Sequence, residues 1–298
     1  MITRYSVPPL RLILNNNCNG KCSFCHNEGY HSHENMSLKL IHDCIDSAEK
    51  LSISQIALTG GEPTLRDDLK DIIDYIQDKQ MLSISLTTNG YKLNNLIKFI
   101  NRPIDNLNLS MSSLKMELAE KYQNVNPYMA LDSLYSFPAK TKSINIVITK
   151  ENYTEFSDFI RICSQKKILL NVMFENRQDE EYIDIQKKFL NQLLQNNEGN
   201  IILRSTPVLT INFNNECNIR IKHPYLSKLL HNGICEGCSK YDKCFEKVCA
   251  IRVRPDGIVT PCLLKEIYFD EDSMYTRIQN AYNSLQTMVF DKHFYKLI

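Results

Sequence analysis

The alternation of short β-rich runs with longer amphipathic segments, from the N-terminus to about residue 196, is the feature that most constrains the fold. Runs rich in β-branched residues predict strands at 9–14, 54–59, 81–87, 105–110, 143–148 and 168–174. Helical periodicity between and after them predicts helices at about 37–51, 66–79, 92–101, 114–136, 153–166 and 179–196. Such alternation favours right-handed βαβ crossovers and a parallel sheet. We therefore predict an α/β fold, a partial (β/α)6 TIM barrel whose chemistry lies in the loops that follow the strands.

The alternation of strand and helix patterns ends at about residue 200. A β-like stretch over 201–213 leads into a cysteine-dense region, and then into an apparent hairpin, IRVRPDGIVTPCLL, that turns at Asp256 and Gly257. Asn-Asn-Glu-Gly-Asn, just before the change, is typical of a turn. We predict a barrel domain over 1–199 and a small C-terminal domain over 200–298, a division that the chain length permits.

Charge and hydropathy exclude several classes of protein. Lysine and arginine number 35 against 34 acidic residues, and tryptophan is absent, so neither a nucleic-acid nor a membrane partner is predicted. No apolar run reaches the roughly 20 residues that span a bilayer, and no secretion signal is visible, so we expect a cytoplasmic protein. In that reducing compartment, eleven cysteines favour metal binding or catalysis over disulfides. Cys44 and Cys163 lie in helical patterns and are expected to be buried apolar residues.

Three cysteines immediately after the first predicted strand form the strongest motif. Cys18, Cys22 and Cys25 have the spacing C-x3-C-x2-C, which lets one loop hold three irons of a four-iron cube and leaves the fourth iron open. Two other kinds of site match part of the motif. The segment from Cys22 to His26 fits the haem-attachment pattern C-x-x-C-H, but covalent haem attachment normally requires export. A structural zinc site could use the Cys22–Cys25 pair, but it would leave Cys18 unused and would need its other ligands from distant cysteines.

The loop resembles the defining motif of the radical S-adenosylmethionine (SAM) superfamily, and the resemblance continues through most of the barrel. It implies a [4Fe-4S] cluster that binds SAM through the open iron and cleaves it to a 5′-deoxyadenosyl radical. It also implies an electron donor such as flavodoxin or ferredoxin. The segment Gly60-Gly61-Glu62-Pro63 resembles the family element that contacts the SAM amino group. Glycines there permit a close approach to backbone, and a carboxylate can accept from an ammonium.

The same resemblance implies further SAM contacts, at Phe24 within the three-cysteine motif and on later strands. The candidates on later strands are Thr88, Asn89, Ser110 and Asn145. Ordinary alternatives are a plain turn at Asn89 and a strand-end serine that satisfies the backbone at Ser110. Glu175, after the sixth strand, is a candidate for substrate or SAM contact, with a solvated acid as the alternative.

A second group of cysteines lies in the C-terminal region, with the spacing C-x2-C-x5-C-x4-C-x12-C. Its members are Cys235, Cys238, Cys244, Cys249 and Cys262. So many soft ligands in a short stretch indicate a metal site, and a zinc ribbon is one alternative. The stretch from Cys249 to Cys262 resembles the auxiliary-cluster hairpin of the molybdenum-cofactor GTP 3′,8-cyclase family. That resemblance implies a second [4Fe-4S] cluster in a twitch/SPASM-like domain.

The chain departs from the cyclase pattern, which has three C-terminal cysteines spaced C-x2-C-x13-C and a glycine-rich tail. GTP cyclisation itself is therefore not predicted, and we expect the second cluster to be fully ligated by cysteine. The expected activity is hydrogen abstraction from a small, nucleotide-like substrate, followed by cyclisation, dehydrogenation or rearrangement. Arg252 and Arg254 would meet an anionic group if they face the barrel; otherwise they line a solvated hairpin.

Two other functions stay open. The first is a maturase that modifies a peptide, although only about eight residues precede the first strand, which leaves no room there for a peptide-binding module. The second is a non-catalytic metal-binding protein.

Overall fold

The chain folds into strands and helices that alternate in the predicted order. The computed structural model describes residues 8–25, 35–175, 179–195, 201–203, 208–213, 217–222, 230–231, 234–235, 237–239, 244, 250–263, 267–285 and 289–290. The first six strands are β1 Leu10–Ile13, β2 Gln55–Thr59, β3 Ser83–Thr88, β4 Ile104–Ser110, β5 Ala139–Ile148 and β6 Leu169–Phe174. The helices among them are α1 Leu38–Lys50, α2 Leu69–Gln77, α3 Leu93–Ile97, α4 Met116–Gln123, α5 Pro127–Ser136, α6 Phe156–Lys166 and α7 Glu180–Gln195.

The six strands are all parallel and lie side by side in chain order, from β1 to β6. Every strand end therefore points to the same edge of the sheet, which we term the upper end of the barrel. This confirms the predicted α/β fold with an incomplete barrel.

The C-terminal region extends this sheet on both sides. Its elements are β7 Ile201–Leu203, β8 Val208–Phe213, β9 Cys217–Lys222, β10 Leu230–His231, β11 Ile251–Val253, β12 Val259–Thr260, α8 Met274–Asn283 and β13 Val289–Phe290. Strand β9 pairs in parallel with β6, and β11 pairs in parallel with β1, so the order in the sheet becomes β12-β11-β1-β2-β3-β4-β5-β6-β9-β8-β7. The predicted domain boundary at 199/200 stays a prediction, but the sheet itself crosses it.

The two faces of the barrel wall differ in chemistry because strand residues alternate between them. One face packs against the helices and is apolar, as at Leu10, Leu12 and Ile144, which are fully buried in the main hydrophobic core. The inner face is polar on several strands, as at Asn108 and Asn171. The lumen is therefore lined by groups that can hydrogen-bond to a polar ligand.

Local differences from the predicted elements have local causes. The segment predicted as one helix over 114–136 is two helices, because α4 ends at Asn124 in the left-handed conformation (φ +50°) and α5 begins at Pro127. The predicted hairpin is confirmed, with Gly257 at φ +84° in the turn between β11 and β12. Cys44 and Cys163 are fully buried, as expected. No helix in the described ranges is long and apolar enough to cross a membrane.

Candidate active site

The three-cysteine loop, residues 15–25, lies at the upper end of the barrel and rests on the end of α4. The Lys21 amide donates to the Tyr122 carbonyl over 2.6 Å, and the Cys22 thiol donates to the same carbonyl over 3.3 Å. A Cβ on Gly20 would lie 2.9 Å from that oxygen, so glycine is required there by close approach. Phe24 packs its ring against Tyr122, with centroids 5.6 Å apart. Helix α4 therefore sets the path of the loop.

The three thiols lie near enough to one another to interact electrostatically. Burial, together with the smaller effect of neighbouring thiols, raises the pKa of Cys18 and raises that of Cys22 to about 12. Such thiols become thiolates readily only when a cation offsets their charge, which iron does on binding. Cys18 and Cys25 are exposed and Cys22 is half-buried, so the site is accessible from the upper end.

The donor set fits a four-iron cube. Within the described part of the chain, no three side chains of histidine, cysteine, aspartate or glutamate converge on a point where they could share one metal ion. A cube does not require such convergence, because each thiolate binds a different iron. Three soft ligands on one loop therefore remain suited to three corners of a cluster, with Cys18, Cys22 and Cys25 as the residues that would hold it.

The loop after β2 packs directly on the three-cysteine loop. The Gly61 amide donates to the Asn15 carbonyl and the Glu62 amide to the Asn17 carbonyl, each over 2.8 Å. A Cβ on Gly60 would lie 2.5 Å from Asn15 Oδ1, and one on Gly61 would lie 2.2 Å from the Asn17 carbonyl oxygen. The glycines are thus needed for contact between the two loops, whereas the sequence suggested only a close approach by a ligand.

Glu62 joins this loop to the end of β3. Its buried carboxylate accepts from the Thr64 amide (3.0 Å), the Thr64 and Thr88 hydroxyls (both 2.6 Å) and the Asn89 amide (2.7 Å). Burial raises the pKa of Glu62, and these four donors act in the opposite direction. Pro63, also buried, starts a short 3-10 turn capped by the same carboxylate. The contact of Glu62 with the SAM ammonium stays a prediction.

Asn89 links the end of β3 to the three-cysteine loop. Its Nδ2 donates to Asn19 Oδ1 over 2.9 Å and lies 4.0 Å from Cys18 Sγ, and Asn19 in turn donates to the Gln123 carbonyl over 2.6 Å. Asn89 therefore does more than form a turn, because its side chain also contacts the three-cysteine loop. The structure brings Cys18, Gly60 to Pro63, Thr88 and Asn89 into one connected group.

Ser110 and Asn145 lie beside each other on the inner face, as register partners of β4 and β5. Asn145 Oδ1 accepts from Asn171 Nδ2 over 2.7 Å. The carbonyl of Ser110 accepts from Gln123 Nε2 over 2.9 Å. Glu175 follows β6 at the same upper end, and its backbone amide is bonded to the Tyr182 hydroxyl.

Three buried polar residues that the sequence did not single out hold the upper loops in place. Gln123 Oε1 accepts from the amide (2.8 Å) and hydroxyl (2.9 Å) of Ser112. Asn152 Nδ2 donates to the Ser112 carbonyl over 2.7 Å, and the Glu155 carboxylate accepts from the Leu114 amide over 2.7 Å. No motif or spacing marks them. Only the fact that each is a buried polar residue near a strand end could have suggested a role.

Arg252 is buried on the inner side of the sheet. It is the register partner of Arg11 on β1, while its neighbours Ile251 and Val253 pack in the hydrophobic core on the opposite face. Its exposed fraction is 1%, and its guanidinium donates to the Ala250 carbonyl over 3.3 Å. The role of Arg252 towards an anionic substrate group stays a prediction. Arg254, next on the hairpin, pairs with Asp256 over 2.6 Å and lies over the Tyr268 ring.

The C-terminal cysteines are described in part. Cys235, Cys238, Cys244 and Cys262 are half-buried, and Cys249 lies outside the described residues. Because β11 is parallel to β1 and the Ile251 amide donates to the Pro9 carbonyl, the start of the hairpin lies at the lower end of the barrel. Cys262 follows β12, which returns towards that end. The length of β1 therefore separates Cys262 from the three-cysteine loop, by roughly 10 Å or more along the strand direction.

Comparison with known proteins gives the same picture. The profile of the radical SAM superfamily matches residues 12–163, just over half of the chain. A protein of Methanocaldococcus jannaschii named "Probable GTP 3′,8-cyclase" is 26% identical over 273 residues, which cover 86% of this chain and 85% of the relative. A protein of Metallosphaera sedula with the same name is 35% identical over 167 residues, which cover 52% of each chain.

Solved structures share the fold at low identity. SuiB of Streptococcus suis bound to SAM has a TM-score of 0.64 at 17% identity, over 95% of this chain and 68% of SuiB. SuiB bound to its precursor peptide SuiA also has a TM-score of 0.64, at 18% identity, over 98% and 66% of the two chains. Native anSMEcpe with bound AdoMet has a TM-score of 0.57 at 16% identity, over 94% and 81%. At these identities the likeness concerns the fold alone.

Proposed function

This chain belongs to the radical SAM superfamily and is a SAM-dependent enzyme, and on that basis we propose that it abstracts hydrogen from a small, nucleotide-like substrate held in the barrel lumen. The observation that carries the proposal is the three-cysteine loop at the upper end of a polar, arginine-containing lumen. When bound, the four-iron cluster supplies the electron that cleaves SAM to methionine and a 5′-deoxyadenosyl radical. Flavodoxin or ferredoxin would be the source of that electron.

The upper loops are proposed to hold SAM beside the three-cysteine loop. Glu62, with Gly60, Gly61 and Pro63, would receive the amino group, and its many internal donors would keep the carboxylate oriented. Thr88 and Asn89 would line the same site, with Phe24 beside them. This assignment rests on the contact between the loop after β2 and the three-cysteine loop.

Ser110 and Asn145 are proposed to contact the nucleoside part of SAM. Asn171 occupies the amide oxygen of Asn145, so the Nδ2 group of Asn145 is the one that can donate to a ligand. Glu175 would lie at the mouth of the lumen, where a substrate passes.

The substrate is proposed to lie between the two cysteine groups. Arg252 is inside the barrel wall next to Arg11, and two guanidinium groups side by side suit an anionic substrate group. Arg254 is already paired with Asp256, which favours a role in shaping the hairpin. Relatives named as probable GTP 3′,8-cyclases support a nucleotide-like substrate. The set of five C-terminal cysteines departs from the cyclase pattern. The reaction that follows hydrogen abstraction is therefore proposed to be a cyclisation, a dehydrogenation or a rearrangement.

A second [4Fe-4S] cluster is proposed at the lower end, in a twitch/SPASM-like region over 200–298. Its ligands would come from Cys235, Cys238, Cys244, Cys249 and Cys262. With more thiolates than a cube needs, full ligation is chemically easier than an open iron. The cluster would then transfer electrons or form part of the pocket wall.

Anaerobic reconstitution with iron and sulfide, followed by measurement of 5′-deoxyadenosine, tests the proposed substrate class. A nucleotide substrate should raise the rate of SAM cleavage above the basal rate, with GTP and ATP as the first candidates. Arg252→Gln should lose this stimulation and keep basal cleavage, and Lys39→Gln, on the outer surface of α1, should keep both. Stimulation by no nucleotide would reject the proposed substrate class.

Peptide modification is the second candidate. A radical SAM fold neighbour, SuiB, is solved with its precursor peptide SuiA, and the larger cysteine set of this chain also suits a maturase. In the same assay, stimulation by a peptide and by no nucleotide would favour this candidate.

A further inference from the structure

Arg66 is a buried arginine that follows the loop after β2. Its side chain is only 4% exposed. It comes directly after the short 3-10 turn Pro63–Leu65, and its backbone amide donates to the Pro63 carbonyl over 3.0 Å. A buried guanidinium needs hydrogen-bond acceptors for its N–H groups and a partner for its charge, so its contacts indicate what it holds in place.

Two of its acceptors are backbone carbonyls that lie on either side of the three cysteines in the chain. Nη1 of Arg66 donates to the Leu14 carbonyl and to the Met36 carbonyl, each over 2.8 Å. Leu14 follows β1 directly and Met36 lies just before α1, so the chain leaves the sheet after one and enters the first helix after the other. All three cysteines of the motif lie between them. One guanidinium nitrogen therefore joins the two ends of the cluster-binding segment.

The same two ends also bond to each other through the backbone. The Met36 amide donates to the Leu14 carbonyl over 2.9 Å, and Asn15 and Asn35 form an isolated antiparallel bridge. Leu14 and Met36 are fully buried, so water does not compete for these bonds. We term Leu14, Asn15, Asn35 and Met36 the segment base. Arg66 therefore reinforces a base that is already closed in the protein without iron.

Asp68 fixes the orientation of the Arg66 guanidinium. Its carboxylate accepts from Nε over 2.8 Å and from Nη2 over 2.7 Å, which leaves Nη1 for the two carbonyls. This arrangement is specific to arginine, because the single ammonium of lysine has no fixed planar fork of donors. The Asp68 side chain is 31% exposed and does not cap α2, so it can be replaced without opening the core.

The turn that carries Arg66 also carries Glu62. The Glu62 carboxylate bonds to Thr88 and Asn89 at the end of β3, whereas Arg66, four residues later, bonds to the segment base. The loop after β2 and the three-cysteine loop already meet at the Gly61 and Glu62 amides. Arg66 joins them a second time, at the base of the segment.

We propose that Arg66 is a positioning residue for SAM cleavage, which holds the segment base closed and so fixes the three cysteines relative to the loop after β2. This goes beyond the proposed substrate class, and it rests on the SAM contact proposed for that loop. With the base closed in advance, SAM binding does not have to order the segment. Without Arg66, SAM must select the closed arrangement, so KM for SAM should rise while the reaction of bound SAM changes little.

Hydrogen exchange of the protein without iron tests the closed base directly. The Met36 amide, which is bonded to the Leu14 carbonyl, should be protected in wild type. It should exchange about tenfold faster in Arg66→Gln and in Arg66→Lys, because the base opens more often. Amides of the core strand β4 should not change, which separates local opening of the base from a global loss of stability.

Basal SAM cleavage after reconstitution measures the consequence for the cofactor. Arg66→Gln and Arg66→Lys should raise KM for SAM about tenfold and keep kcat within about threefold of wild type. Asp68→Asn should raise KM about threefold and speed exchange of the base, and it decides the matter if the Arg66 variants do not fold. Arg102→Gln is the matched control. It also loses an aspartate, Asp78, and a backbone acceptor at Gln77, but at the lower end, and it should leave KM unchanged.

Three results would overturn the proposal. The first is an exchange rate of the Met36 amide that none of the variants changes. The second is a lower kcat at unchanged KM, which a smaller folded fraction alone would produce. The third is full wild-type behaviour of Arg66→Lys, which would assign the effect to charge and not to the two carbonyl contacts. Absence of SAM cleavage in wild type would instead count against the enzyme itself, and no substrate is needed in either measurement, so these failures are distinguishable.

Discussion

The backbone amide of Asn89 donates to Glu62 Oε2 over 2.7 Å, which joins the loop after β2 to the loop after β3. Asn89 also reaches the three-cysteine loop through its side chain, at Asn19. Three upper loops therefore share one hydrogen-bond network around a single buried carboxylate. Pre-organised loops of this kind hold a cofactor site in place before the ligand binds.

Replacement of Glu62 should destabilise the protein as well as abolish SAM cleavage. Glu62→Ala leaves buried donors of Thr64, Thr88 and Asn89 without an acceptor, so we expect a loss of roughly 2 to 4 kcal/mol in the free energy of unfolding. Urea denaturation would measure it. Glu120→Gln, on the exposed face of α4, should change stability by less than about 0.5 kcal/mol. Equal stability of Glu62→Ala and wild type would contradict the network.

Gly61→Ala should separate the two upper loops. Its Cβ would lie 2.2 Å from the Asn17 carbonyl oxygen, a distance that forces backbone to move. We expect the first cluster to assemble poorly, with a loss of about four irons per chain after reconstitution. Lys21→Ala, at an exposed position in the same loop, should assemble normally. A Gly61→Ala protein with full iron content would show that the contact is not required.

Asp105 should make stability depend on pH. Burial by itself raises the pKa of this carboxyl, but Lys140 and the Ile84 amide outweigh burial and lower it overall. Because the folded-state pKa lies below the unfolded value of about 3.9, its contribution is present above that value and is lost as pH falls through the folded-state pKa. Asp105→Asn should therefore cost most near pH 7, and the difference from wild type should shrink as pH falls below about 4. A difference that grows with acidification would contradict this assignment.

Iron analysis tests the proposed second cluster. The reconstituted wild type should hold about eight irons per chain, and a Cys18→Ala, Cys22→Ala and Cys25→Ala triple variant should retain about four. About four irons in the wild type, together with stoichiometric zinc, would show that the C-terminal cysteines form a structural zinc site.

Much of the barrel could be predicted because strand order and local periodicity are properties of contiguous segments. All six strands overlap the predicted segments, although β5 begins four residues earlier, at Ala139, and the turn at Gly257 lies where the sequence placed it. The pairing of β11 with β1 could not be predicted, because it joins residues some 240 positions apart and no local pattern encodes it. The roles of Gln123 and Asn152 also depend on which loops meet in space.

The candidate site could also be predicted only in part. The spacing of Cys18, Cys22 and Cys25 indicated the cluster directly, because one loop must supply all three ligands. The true neighbours of Gly60 and Gly61 are backbone atoms of another loop, which sequence alone does not reveal.

Reductive cleavage of SAM by single-cysteine variants tests the central claim most directly. After anaerobic reconstitution and reduction with dithionite, wild type should form 5′-deoxyadenosine, and Cys18→Ala, Cys22→Ala and Cys25→Ala should each form none. Cys44→Ala, a buried cysteine on α1, should retain this activity. Formation of 5′-deoxyadenosine at the wild-type rate by any of the three loop variants would contradict the assignment of the cluster to this loop.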